Sequence, residues 1–160
     1  MNKKGSILDL VYIGMILVFF SVVILIGLKI ATSFNDNIQA NADIDTTTKA
    51  QTDSVTAKMT YTMDNTFLYL TILMCIVMLI LAAMVAVHPI FIVIYFVTWI
   101  FTIFLAGVFS NIYQTMATNS ELSTLANDLP FILGIMTYLP LIIGIIGIVL
   151  MVVMYKVGNQ

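Results

Sequence analysis

Apart from tyrosines, the side chains able to do chemistry here are eight Asp/Glu, six Lys, one His and one Cys, among 160 residues. Five of the acids, Asp36, Asp43, Asp45, Asp53 and Asp64, fall in one polar stretch covering residues 31–65, with Asp9, Glu121 and Asp128 elsewhere. Catalysis needs a positioned acid, base, nucleophile or metal, and no such grouping occurs. One Cys (Cys75) and one His (His88) cannot form a disulfide or a metal site within one chain. There is no phosphate loop, zinc spacing or nucleophile elbow. The sequence therefore predicts no enzyme and no cofactor. The acids are better suited to protein contact, which makes Asp36, Asp43, Asp45 and Asp53 the candidate partner-contact residues. Cys75 reads as a small buried residue, and His88 as a structural turn residue with pH sensing as its functional alternative.

The elements that must carry these residues are membrane helices. Hydrophobic residues make up 61% of the chain and charged residues 9%, with a mean hydropathy of +1.10, which is far outside the soluble range. Six lysines, no arginine and a formal charge of −2 leave no basic face for phosphates, so nucleic acid is not an expected partner. The expected class is all-α, a four-span transmembrane protein forming a single integral membrane domain over residues 1–160. Its spans fall near 10–28, 67–87, 90–109 and 130–155, each close to the ~20 apolar residues a bilayer core requires.

The first span follows a basic opening, with Ser6-Ile7-Leu8-Asp9 spaced as a capping box. Its apolar run is longer than a secretory signal's. Lys3-Lys4-Gly5 followed by Ser6 looks like a type IV pilin leader, but Asp9 falls one place before the acid of that pattern, and pilins have one span. The first span is therefore expected to stay uncleaved. From Asn65 to Ser120 no residue is formally charged. A helix of that length would far exceed a ~30 Å core, so the chain should fold back at His88-Pro89. A proline there disfavours helix at the residue before it and removes an amide.

The polar stretch 31–65 contains no Gly or Pro, although a loop of that length is normally punctuated by them. Apolar residues recur at helical spacing: Phe34, Ile38 and Ala42, then Val55, Met59 and Met63. Thr48-Lys49-Ala50-Gln51 is a second capping box. These features predict an antiparallel helical hairpin that extends spans one and two and projects from the membrane. Ile30 with Met63, Phe34 with Met59 and Ile38 with Val55 share one residue-number total, 93, which places the bend between Thr46 and Thr47. A disordered polar loop is the alternative.

Small and weakly polar residues on membrane helices allow close approach. In span two, Thr71, Cys75, Met78, Ala82 and Ala86 lie along one face. Thr98, Thr102 and Ala106 do so in span three, with Trp99 among the aromatics pointing elsewhere. These two seams are expected to pack together. Thr118-Asn119-Ser120-Glu121 is a third capping box, ahead of a short polar or interfacial helix over 118–128. In span four, Pro140 should kink the helix, and Gly134, Gly144 and Gly147 should mark close approaches. The kink reads either as bent packing or as a gating hinge.

Lysines Lys3, Lys4 and Lys156 lie with the termini, and seven of the eight acids lie on the opposite side, so the positive-inside rule places the termini in the cytoplasm. The basic opening before a span, the polar helical insert and His88-Pro89-Ile90-Phe91 between two spans together resemble small multi-pass membrane proteins of membrane-containing icosahedral bacteriophages and archaeal viruses. That resemblance implies a structural protein of an internal virion membrane, contacting capsid or vertex proteins. The expected function is thus a non-enzymatic subunit of a larger, homo- or hetero-oligomeric membrane assembly, sited in the lipid bilayer of a cell or virion. The alternative is a small pore-forming or holin-like channel.

Overall fold

The computed structural model describes residues 8–83 and 89–158, and among them every regular element is helical. In chain order these are α1 Leu8–Ala40, α2 Thr46–Ala83, α3 Pro89–Ala117, α4 Ser123–Asn127, α5 Pro130–Thr137 and α6 Leu139–Gly158. Four helices are long and apolar enough to cross a membrane, over Met15–Ala40, Thr46–Ile80, Val93–Ala117 and Leu139–Lys156. The capping box at Ser6, Ala86 and His88 lie outside the described residues, as does the side chain of Ala82.

Polar segment 31–65 is helical on both sides of a bend at 41–45. Helices α1 and α2 run 33 and 38 residues without interruption. At ~1.5 Å per residue each exceeds roughly 45 Å, well beyond a ~30 Å hydrocarbon core. Along the polar half of α2, Thr52, Thr56 and Thr60 each donate a hydroxyl hydrogen bond to the carbonyl four residues earlier, at 2.9, 3.0 and 3.1 Å.

The expected register is not the one formed. Asn35 Nδ2 donates to Asp53 Oδ1 at 3.3 Å and Gln39 Nε2 to the Lys49 carbonyl at 2.8 Å. Both pairs total 88 rather than 93. Phe34 and Val55, expected inside the hairpin, are each 63% exposed. The cause is local to the bend. Asp45, three residues before Thr48, caps α2: its Oδ1 accepts from the Thr48 amide at 2.7 Å and its Oδ2 from the Thr48 hydroxyl at 3.0 Å. The second helix therefore begins at Thr46, and an earlier start moves the centre of the bend upstream. Every facing pair moves with it, so polar residues meet where apolar ones were expected.

The bond from the Thr48 amide, followed by that from its hydroxyl, holds the Asp45 carboxyl below its ordinary value of 3.8. A carboxylate favoured in the folded state stabilises it above the unfolded-state pKa, and that stability is lost as pH falls through the lower folded value. Acidification below about pH 3.8 should therefore fray the first turn of α2, read as faster amide exchange at residues 46–49, and Asp45→Ala should exchange fast there at every pH.

The four long helices form a ring in which α1 and α6 each touch both α2 and α3. Helices α2 and α3 lie diagonally opposite and barely meet among the described residues, so the two small-residue seams do not pack together as expected. Thr71 and Cys75 face Leu17 of α1 and Ile135, Leu139 and Ile143 of α5–α6 across a small apolar cavity of about 20 Å³. Lipid is as apolar as leucine, so burial alone does not specify this arrangement; fit and interhelical hydrogen bonds do.

Helix α3 runs two turns further than the sequence indicated, to Ala117, and the short helix is confined to Ser123–Asn127. Its expected cap does not form. Asn119 Oδ1 accepts from the Glu121 amide at 3.0 Å in a local turn, and Leu125, Ala126 and Leu129 are buried in the bundle instead of lying on a membrane surface.

Candidate functional site

Polar side chains join the spans in two layers. Deep in the bundle α3 meets α6: the Tyr95 hydroxyl donates to the Gly147 carbonyl and Trp99 Nε1 to the Ile143 carbonyl, both at 3.3 Å. Buried aromatic O–H and N–H groups need such partners. Trp99 thus faces α6. A Cβ on Gly147 would overlap the Trp99 ring, so this glycine does mark a close approach. Gly144 has only ordinary contact with Ile103 at 3.8 Å, and a Cβ on Gly134 would meet nothing within 4 Å. Thr98 and Thr102 direct their hydroxyls to the Ile94 and Thr98 carbonyls of their own helix, and Thr71 bonds back to Phe67 likewise. Of these threonines, Thr71 and Thr102 are buried, but none bonds across to a neighbouring helix.

The second layer is built around α5. Pro130 occupies its first turn, and the N-cap position, Leu129, has no side chain able to accept a hydrogen bond. The missing cap comes from another span. Asp64 of α2, only 3% exposed, accepts from the Phe131 amide through Oδ2 at 3.1 Å and from the Ile132 amide through Oδ1 at 2.8 Å. A carboxylate at a helix N-terminus satisfies orphan donors and opposes the positive end of the helix dipole.

At its other end α5 stops at Thr137, and α6 restarts at Leu139 with Pro140 in its first turn. Proline cannot donate to the carbonyl four residues earlier and crowds that turn. The Thr137 carbonyl accepts the Ser110 hydroxyl of α3 at 3.2 Å, and Gln114 Nε2 donates to the Ser110 oxygen at 3.2 Å. The kink is therefore braced by a neighbouring span. Tyr113, on the same face of α3, is fully buried beside the Asp64 charge, and its hydroxyl has no hydrogen-bond partner among the described residues.

The predicted contact acids sit far from this layer. Asp36, Asp43, Asp45 and Asp53 are all exposed, two of them engaged within the hairpin, Asp45 as a cap and Asp53 with Asn35. Sequence reading passed over Asp64, which looked like one more acid at the edge of a span. The only signal was Pro130, which announces a helix start for which no local cap exists. An open cleft of about 380 Å³, lined in part by Tyr61, Asp64, Asp128 and Phe131, lies beside the cap. Among the described residues no group of three or more His, Cys, Asp or Glu is placed to hold a metal.

The class of protein that fold and site define is a four-span helical membrane-type bundle with an internally capped half-helix. The chain matches no protein-family model, no curated protein and no solved structure.

Proposed function

We propose that this chain is a non-enzymatic subunit of a larger membrane assembly, contacting partner proteins through the arms of α1 and α2. The observation that carries this reading is the polar seam of the hairpin. Because the arms join through Asn35, Gln39 and Asp53, they turn Phe34 and Val55 outward. Large apolar side chains on otherwise polar helices are the kind of surface another protein covers. Asp36, on the same arm as Phe34, and Asp43, at the bend, are exposed acids and favour a partner of basic character. The internal membrane of a virion, with capsid or vertex proteins as partners, is the setting that the resemblance supplies.

Photo-crosslinking residues placed at 34 and 55 in the native membrane test this reading. Position 104, 65% exposed in the middle of α3, serves as the lipid-facing comparison. Protein adducts from 34 and 55, with lipid adducts from 104, are expected. Lipid adducts alone from all three, with a monodisperse monomer in mild detergent, would overturn it.

A further inference from the structure

Helix α5 is a separate rigid piece of span four, divided from α6 at Tyr138 and held at each end by a side chain from another span. Its C-terminal bond, from Ser110, is neutral. Its N-terminal bonds come from an ionisable group. We propose that the α4–α5 segment is a charge-held strap: closed while Asp64 is ionised, and released at its α5 N-terminal end when Asp64 is neutralised.

The geometry supplies the reason. An ionised carboxylate accepts with both oxygens, and here each oxygen receives one backbone amide. Protonation turns one oxygen into an O–H donor facing an amide donor, which loses one bond and opposes two like dipoles. It also removes the charge that complements the helix terminus. The ionisable groups shown beside Asp64 among the described residues include no cation. They are Tyr113 from α3, Asp128 from the linker ahead of α5, and Tyr61 one turn earlier on α2. The buried α1 positions Ser21, Leu25 and Leu28 and the buried α6 positions Leu139 and Ile143 carry no charge. The cleft bordered by Asp64 and Phe131 gives the released end somewhere to move.

Amide exchange of the full chain in lipid nanodiscs, corrected for the intrinsic pH dependence of exchange, tests this. Between about pH 7 and about pH 2.5, more than a unit below the ordinary Asp value, protection at residues 131–133 should fall by about tenfold, while α6 residues 143–150 keep theirs. Asp64→Asn should show the low protection at both pH values, and Asp128→Asn should leave the wild-type profile unchanged. Should Asp64→Asn fail to fold, the wild-type and Asp128→Asn profiles decide alone. Protection independent of pH, equal loss in α5 and α6, full protection in Asp64→Asn, or a pH response abolished by Asp128→Asn would each overturn the strap.

Discussion

Replacing Asp64 by alanine should lower the unfolding free energy by about 3 kcal/mol, since it strips one buried and one part-buried amide of a charged acceptor and hydrogen bonds to charged groups contribute about 1.5–3 kcal/mol each. The loss is not the sum of two such bonds, because the freed helix end can shift toward the neighbouring cleft. Asp64→Asn should fall between wild type and Asp64→Ala, because one of its two terminal atoms is a donor and only a single amide can be retained. Reversible unfolding in mixed detergent, followed by fluorescence of Trp99, the single tryptophan of the chain, measures both. Equal stability of wild type and Asp64→Ala would mean that the cap contributes nothing.

The second large effect is expected at Gly147. Its missing side chain is the space in which the Trp99 ring lies, so Gly147→Val forces the α3–α6 seam apart. Overpacking a well-fitted site costs about 1–3 kcal/mol, and here displacement of the ring also breaks the bond from Trp99 to the Ile143 carbonyl. A loss of about 3 kcal/mol is expected, at the upper end of that range. Trp99→Leu should recover part of it, because the smaller side chain vacates the space. A double-mutant cycle on the two positions should therefore give a coupling of about 1 kcal/mol or more, whereas additive losses would show that ring and glycine do not compete. Gly134→Ala is the comparison, with no neighbour to displace and little expected loss.

What the sequence made legible follows the strength of the physical constraint behind each feature. Four spans could be read because hydrocarbon demands about 20 apolar residues per crossing and a helix to satisfy the backbone. The unbroken continuation of α1 and α2 into a polar segment could be read from missing Gly and Pro together with helical spacing. The hairpin register could not, because it turned on a choice between two caps three residues apart. Thr48, taken as the cap, is the residue that Asp45 caps. Once the bend moved, the apolar pattern of the arms ceased to indicate which faces meet, since Asn35 and Gln39 find polar partners in the new register.

Contacts between spans were the least legible. Neighbours in sequence need not be neighbours in a ring of four helices, and α2 and α3 sit across it from one another. Trp99 and Gly147 each carry a recognisable signal, a donor that needs an acceptor and a residue without a side chain. Nothing local ties the two together across 48 positions. Asp64 is harder still, for its partners are backbone amides 67 and 68 residues away, and any residue can supply an amide.

That separation in the chain bears on how the protein is made. The half-helix beginning at Pro130 emerges from the ribosome after α1, α2 and α3, and its first turn carries amide hydrogens that no side chain of its own cap position can satisfy. Buried donors left without an acceptor cost about 1–3 kcal/mol each. The acceptor they need was synthesised earlier, on a span already inserted. The final span therefore depends for its first-turn partners on an acceptor that an earlier helix already carries.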